Sequence, residues 1–120
     1  MITITRANQY TETLAALAHD KRTAIVAMLA SRPHTASEIH DAFAIAPPAV
    51  SRHLRVLREA GIVDESRPQA DRRVRVYTLR TEPLDELAGW LGELTRGWQA
   101  QLDSYKDFVA LRTARPGKRS

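Results

Sequence analysis

The chain has 120 residues, 43% of them hydrophobic and 27% charged, which is the composition of one folded domain and not of a disordered segment. Its net charge is +4, and the absence of cysteine excludes disulfides, thiolate metal sites and cysteine nucleophiles. No apolar run approaches the roughly 20 residues of a membrane span, and the first nine residues lack the apolar core of a signal peptide, so we expect a cytoplasmic protein.

The first part of the chain predicts an extended arm and an amphipathic helix. The arm covers residues 1–7. The helix covers about residues 8–18 and places Tyr10, Leu14 and Leu17 along one side.

Two further helices are predicted before residue 45. Asp20 is a suitable N-cap for the first of them, and Pro33 ends it. The run 35–38, Thr-Ala-Ser-Glu, has the residues of a capping box. A short helix should therefore cover about residues 36–44 and bury Ile39 and Phe43.

The segment 46–61 predicts a helix with two different faces. Proline suits the first turn of a helix, where its missing N–H would be unpaired in any case, and glycine suits the left-handed position after the last turn. These residues are Pro47, Pro48 and Gly61. One face is an apolar stripe that should pack on a core, formed by Val50, Leu54 and Leu57.

The opposite face of this helix is polar and basic. It consists of Ser51, Arg52, Arg55 and Arg58. Arginine and serine with no carboxylate before Glu59 suit phosphate oxygens and base edges in the major groove of DNA. His53 lies at the border of the two faces, where packing or a phosphate contact is favoured over base reading. With the short helix before it, this helix forms a predicted helix-turn-helix.

After this helix the apolar period changes from 3.6 to 2, which predicts two strands. They cover residues 62–66 and 73–79, and the loop 67–72 contains residues that favour turns. We interpret this segment as a two-stranded wing, which must lean on the helices because an isolated hairpin is marginal in water. The contacts would come from Val63, Tyr77 and Leu79.

Positive charge is concentrated around the helix-turn-helix and the wing. Residues 44–80 hold eight arginines against four acidic residues, whereas residues 81–111 hold six acidic residues against two basic ones. Arginine is the residue suited to bidentate contacts with phosphate and guanine. That these arginines are merely solvated remains the alternative.

A long helix is predicted from about residue 83 to residue 111. Its apolar residues recur at spacings of three and four; they are Leu84, Leu87, Leu91, Leu94, Trp98, Leu102, Tyr105 and Phe108. Such a helix is longer than a domain of this size can cover, so we expect it to pair with a second copy, with Tyr10 and Leu14 at the same interface. A helix lying on its own core remains the alternative. Residues 113–120 should form a flexible basic tail.

Three segments of the chain resemble the ArsR family of bacterial winged-helix repressors. They are residues 15–19, residues 21–25 and the more specific run S-R-H-L-R-V-L-R-E-A-G-I-V at 51–63. The resemblance covers about residues 10–110 and implies a mainly α fold with a small β-hairpin. This is a winged helix-turn-helix of about five helices and a two-stranded wing, forming a single domain over residues 1–112 that dimerises through its terminal helices.

The resemblance also implies a function. Such proteins are homodimeric transcription factors, usually repressors that an inducer releases from an inverted-repeat operator in double-stranded DNA. The residues that we expect against DNA are Pro48, Ser51, Arg52, His53 and Arg55 on the helix and Arg67, Arg72, Arg73 and Arg75 on the wing. A small-molecule inducer would be a further partner. Trp90 and Trp98 are expected as core or dimer contacts, and the alternative, a pocket lined by them, is the best place for such an inducer.

The chain departs from the family's metal sensors, which hold their metal with cysteines in the third helix or with histidines on the last. All four histidines here precede residue 54, so neither site can be built and we predict no metal regulation and no cofactor. An atypical metal site at His34, His40 and Asp41 remains an alternative, as does a winged-helix module that binds an acidic protein. No catalytic constellation indicates an enzyme.

Overall fold

The computed structural model of the chain describes residues 8–113. The arm predicted for residues 1–7 lies outside these residues, as does the predicted tail beyond residue 113. The elements that lie wholly within the described part are α1 Thr11–Leu17, α2 Asp20–Ser31, β1 His34–Thr35, α3 Ala36–Ala42, α4 Pro47–Glu59, β2 Val63–Ser66, β3 Val76–Leu79 and α5 Glu82–Thr113. This order confirms the predicted winged helix-turn-helix of five helices with a small antiparallel sheet. By length and apolarity, none of the helices within residues 8–113 qualifies as a membrane span.

The chain forms two compact units, and the boundary between them lies after Leu87. The first contains α1 to β3 and the start of α5, and the second contains the rest of α5. One hydrophobic core fills the first unit. Its buried members are Ala16, Ile25, Leu29, Ile39, Val50, Leu54, Leu57, Ile62, Val63 and Tyr77. The same core therefore receives side chains from each helix from α1 to α4 and from the strands β2 and β3.

The side of α1 that faces the core carries mainly small residues. Thr13 and Ala16 are buried and Leu17 packs on the core, whereas Leu14 is exposed and Tyr10 is half-buried. The helix therefore turns small residues towards its neighbours, which lets it approach them closely.

The predicted N-cap of α2 is wrong by one residue. His19 has the extended backbone of an N-cap, with φ −153° and ψ 130°, and its Nδ1 accepts from the backbone N–H of Lys21 at 3.1 Å. Asp20 is instead the first helical residue, and its carboxylate accepts from the same N–H at 2.9 Å. An imidazole can cap a helix because its unprotonated nitrogen is an acceptor.

The capping box of α3 is confirmed. Thr35 Oγ1 accepts from the N–H of Glu38 at 3.2 Å, and Glu38 Oε1 accepts from the N–H of Thr35 at 3.0 Å. The bond from the Thr35 backbone, followed by the bond from Arg32, lowers the pKa of Glu38. The helix ends at Ala42, before the predicted residue 44, because Phe43 adopts an extended backbone with φ −122° and ψ 138°.

The limits and the buried stripe of α4 are confirmed. Pro47 and Pro48 occupy its first turn, and the stripe of Val50, Leu54 and Leu57 is almost completely buried. At the other end, Gly61 has φ +76°, and its N–H donates to the Arg58 carbonyl while the N–H of Ile62 donates to the Leu57 carbonyl, each at 3.0 Å. This pair of bonds is a Schellman motif.

The sheet has three strands and not the predicted two. The order is β1-β3-β2, all antiparallel, and β1 pairs His34 with Tyr77. The third strand, β3, starts at Val76 and not at residue 73, since Asp71 holds a turn there by accepting from the N–H groups of Arg73 and Val74. The predicted contacts with the core are confirmed. Val63 and Tyr77 are buried, and Leu79 packs against the core.

The last helix, α5, spans 32 residues and is therefore about 48 Å long. In the first unit, Leu84 is half-buried and Leu87 is only 6% exposed, so Leu87 has little surface left for the predicted partner contact. In the described part of the second unit, Trp90, Leu102 and Val109 are half-buried, and six large apolar side chains are exposed. These are Leu91, Leu94, Trp98, Tyr105, Phe108 and Leu111.

Replacing Gly61 by alanine should lower the free energy of unfolding by about 1–2 kcal/mol, since an L-residue at φ +76° brings its Cβ close to the backbone carbonyl. Urea unfolding at one fixed protein concentration measures this change. The matched control is Gly89→Ala, in an exposed helical position where an added Cβ meets nothing within 4 Å. It should stabilise the protein by about 0.5–1 kcal/mol. Equal shifts in the two variants would contradict the conformational explanation.

Candidate nucleic-acid interface

The exposed face of α4 carries arginines that are available to a ligand. Arg52 and Arg55 are exposed, and neither has an ion-pair partner among residues 8–113. Pro48 is exposed at the start of the helix, and Ser51 is half-buried beside it. The structure thus places four of the predicted helix residues along one accessible side. A guanidinium with no partner can reach a phosphate or a guanine edge without first breaking an ion pair.

The wing arginines are arranged differently, because they bond to the wing itself. Arg67 Nη1 donates to the Arg72 carbonyl at 2.9 Å, and Arg72 Nη1 lies 3.5 Å from the Arg67 carbonyl. These reciprocal contacts close the loop between β2 and β3. Both residues are exposed, so each guanidinium keeps further N–H groups for a phosphate.

Arg73 is paired within the turn that precedes β3. Its Nε and Nη2 donate to the two carboxylate oxygens of Asp71 at 3.1 and 3.2 Å. The side-chain bond from Arg73 is the main cause that lowers the pKa of Asp71. Because the pair is exposed, it orients the side chain without adding much stability.

Glu65 connects the wing with α4, a role that the sequence analysis missed. It lies opposite Tyr77 in the β2–β3 register, and the Tyr77 hydroxyl donates to its Oε2 at 2.8 Å. Its two oxygens also lie 3.9 Å from guanidinium nitrogens of Arg58 and Arg75. Burial, and next the bond to Glu65, raises the pKa of Tyr77. The pairing of a strand tyrosine with a strand glutamate could have been found by placing the two strands in register.

His53 faces the helices behind α4 more than the solvent. It is half-buried, its Nδ1 lies 3.2 Å from Arg22 Nη1, and its ring centroid lies 4.4 Å from that of His19. Burial is the first cause that lowers the pKa of His53, and the neighbouring cationic groups add to it. Of the two roles considered for His53, this geometry supports packing.

The atypical metal site has no geometric support in the described part of the chain. His34 is buried, and its Nδ1 lies 3.3 Å from Oε1 of Glu38, which caps Thr35. Asp41 is exposed. Across residues 8–113, no three side chains of histidine, cysteine, aspartate or glutamate come together in a way that could hold a metal ion.

A helix-turn-helix with unpaired arginines on its second helix, followed by an arginine-bearing wing, defines a DNA-binding winged-helix protein. Comparisons with known proteins identify the family. Residues 19–65 match the model of the bacterial regulatory protein, arsR family. The chain is 38% identical to the HTH-type transcriptional regulator Rv2034 of Mycobacterium tuberculosis. The aligned region covers 78% of this chain and 82% of that protein. The chain therefore belongs to the ArsR family, whose members are transcriptional regulators and not enzymes.

Solved structures agree with this assignment. A crystal structure of an ArsR family transcriptional regulator has a TM-score of 0.69 and 28% identity, with 78% of this chain and 93% of that chain covered. An ArsR-like transcriptional regulator from a Rhodococcus species has a TM-score of 0.74 and shares the fold at 22% identity, with 85% and 93% covered. Proteins of this family bind DNA and typically form dimers.

Replacing Tyr77 by phenylalanine should lower the free energy of unfolding by about 1–3 kcal/mol, because Glu65 then loses its short hydrogen bond in a mostly buried position. The same substitution in a Glu65→Ala background should cost much less, since the acceptor is already absent. Chemical denaturation of the four proteins completes this double-mutant cycle. A cost that is the same in both backgrounds would show that the hydroxyl does not act through Glu65.

Proposed function

We propose that the protein is a homodimeric repressor that binds an inverted-repeat operator in double-stranded DNA and is not regulated by metal. One observation carries this proposal. Arg52 and Arg55 are exposed, with no ion-pair partner in the described part of the chain, on a helix whose opposite stripe is buried in the core. The core thus holds the helix in one rotation, with these guanidinium groups towards solvent. Such a protein acts where the DNA is, in the cytoplasm.

In this proposal α4 enters the major groove and the wing approaches the backbone beside it. Ser51, Arg52 and Arg55 contact base edges, and Pro48 lies close to the backbone at the start of the helix. The exposed wing arginines, Arg67 and Arg72, contact phosphates with the N–H groups that the loop leaves unused. A dimer would present two copies of α4 about one DNA turn apart, near 34 Å, which suits an inverted repeat.

The partner that we propose for α5 is a second copy of this chain. The apolar side chains of its second unit are exposed, with Leu91 and Leu94 each at 45% and Trp98 at 65%. Removing such surface from water stabilises an assembly by about 25 cal/mol per Å². Tyr10 and Leu14 stay in the proposed interface, with Leu84, Leu102 and Tyr105, whereas Leu87 is already buried within the single chain. We propose that the two compact units function together as one domain.

The absence of metal regulation rests on the donor set. The chain has no cysteine, and no histidine follows His53. The long helix therefore offers only carboxylates as metal ligands, and these do not form the tetrahedral nitrogen or sulfur site that zinc prefers. Any inducer would have to be a metal-free molecule.

Replacing Arg52 or Arg55 by alanine should weaken binding to the operator by about 1–3 kcal/mol and relax the base preference at one position in each half-site. The operator is first selected from a random DNA pool with the unaltered protein, which also reports its symmetry. Affinities for this operator and for a scrambled duplex are then measured at one salt concentration, because phosphate contacts depend strongly on salt.

The matched control is Arg96→Ala, which removes one exposed arginine of α5. It should leave the ratio of operator to scrambled affinity unchanged. If Arg52→Ala and Arg55→Ala also leave this ratio unchanged, the arginines of α4 do not read bases. If the unaltered protein binds no duplex at near-physiological salt, the proposed function is wrong, and a protein-binding role for the same basic face would account for it better.

Replacing both Leu91 and Leu94 by glutamate should convert the dimer into a monomer, because each protomer would place two carboxylates in the apolar interface. Sedimentation velocity at micromolar concentration measures the oligomeric state. The control, Arg96→Glu with Ala100→Glu, adds more negative charge at exposed positions on the opposite side of α5. It should remain dimeric. A Leu91→Glu, Leu94→Glu protein that stays dimeric would contradict the proposed interface.

A further inference from the structure

Arg22 bridges three helices. Its Nε donates to the carbonyl of Ala16 and its Nη2 to the carbonyl of Ala15 at 3.3 Å, both near the end of α1. Its Nη1 lies 3.2 Å from Nδ1 of His53 in the middle of α4. One side chain of α2 thus ties the last turn of α1 to the helix that carries Arg52 and Arg55.

The contact between Arg22 and His53 fixes the protonation state of the imidazole. A guanidinium group can only donate, so Nδ1 of His53 must accept and cannot carry a proton. His53 is therefore neutral in this geometry, with its proton on Nε2. A second proton, placed on Nδ1, would replace the hydrogen bond by a close contact between two cations.

We propose that Arg22 and neutral His53 are positioning residues for DNA binding, which hold α4 in the orientation that presents Arg52 and Arg55 to the operator. This inference rests on the proposed function and adds a pH dependence to it. Protonation of His53 breaks the link and weakens sequence-specific binding. Neither residue needs to touch the DNA for this effect.

The surroundings of His53 oppose its protonation. His19 faces it from the connection between α1 and α2, Arg22 from α2 and Arg52 from α4, and among residues 8–113 Asp20 is the group that favours the charged form. Burial lowers the pKa of His53 below its ordinary value of 6.5, and the electrostatic effect of His19, Arg22 and Arg52 adds to it. The unfolded chain therefore takes up this proton first as the pH falls. The contribution of neutral His53 to stability is complete above pH 6.5 and is lost as the pH falls from there towards the lowered pKa.

Lowering the pH distinguishes a positioning role of His53 from a phosphate contact, because the two roles predict opposite changes in the affinity for the operator. A histidine that touched a phosphate would bind DNA more tightly when protonated, since the added positive charge attracts the backbone. A histidine that positions α4 through Arg22 loses operator affinity when protonated. The affinity for a scrambled duplex depends on charge and not on base contacts, so it should not fall when the operator affinity falls.

The test uses His53→Asn and His53→Leu in the full chain. The asparagine side-chain oxygen can take the place of the Nδ1 acceptor and does not titrate, whereas leucine keeps the bulk and removes the acceptor. At pH 7.5, His53→Asn should bind the selected operator within about twofold of the unaltered protein, and His53→Leu should bind about tenfold more weakly. Between pH 7.5 and pH 5.5, the ratio of operator to scrambled affinity should fall for the unaltered protein and stay nearly constant for His53→Asn.

Arg22→Lys tests the other half of the link. Lysine keeps the charge but lacks the planar guanidinium group with which Arg22 contacts two carbonyls and the imidazole at once. The operator affinity should therefore fall as in His53→Leu. In a His53→Leu background the same substitution should have little further effect. Should His53→Leu fail to fold, as circular dichroism would show, His53→Asn and Arg22→Lys still decide the question.

Three outcomes would overturn the inference alone. These are an operator affinity of the unaltered protein that is constant or rises on acidification, a His53→Asn protein with the same loss, and a folded His53→Leu or Arg22→Lys protein with undiminished operator affinity. An unaltered protein that binds no duplex even at pH 7.5 would overturn the proposed function and this inference with it.

Discussion

The burial of Val50, Leu54 and Leu57 determines which face of α4 points to solvent, and the rest of the interface depends on it. Each of these side chains is stabilised by about 1.5–3 kcal/mol relative to an exposed position. Since each residue advances 100° around a helix, burying this stripe keeps the arginines between its members on the solvent side of α4. The prolines at the start and the Schellman motif at the end fix the length of the same helix. A nonpolar constraint on one side thus sets the direction of the polar groups on the other.

The same core also positions the wing. Ile62 and Val63 follow the Schellman motif directly and are buried, so the chain enters β2 from a fixed point. Tyr77 then packs its ring in the core and donates its hydroxyl to Glu65, the carboxylate that lies near Arg58 of α4. Because one buried residue serves both the core and this polar link, the wing and α4 are held by a common framework.

The sequence predicted the parts of the fold that carry a local signal. The apolar stripe of α4 and the residues that limit this helix all lie within one segment of 16 residues, and the capping box of α3 lies within a segment of four residues. In contrast, β1 has only two residues, too few for a period, and its partner lies about 40 residues further along the chain. The cap at His19 was missed because a carboxylate follows it and aspartate is the commoner cap. The role of Arg22 depends on contacts with two other helices, which no local pattern can show.

The arginines of this interface differ in how much they are ordered before DNA binds. Arg67, Arg72 and Arg73 are held by the wing's own backbone and by Asp71, so less conformational entropy is lost when they meet a phosphate. Arg52 and Arg55 have no such partner within residues 8–113, and ordering them on DNA would cost about 0.5–1.5 kcal/mol for each side chain. The hydrogen bonds to a base exceed this entropic cost only where the base offers two well-placed acceptors, as guanine does to an arginine. In the proposed complex, the ordered wing arginines would therefore favour binding to any duplex, whereas Arg52 and Arg55 would make the net gain in binding free energy depend on the base sequence.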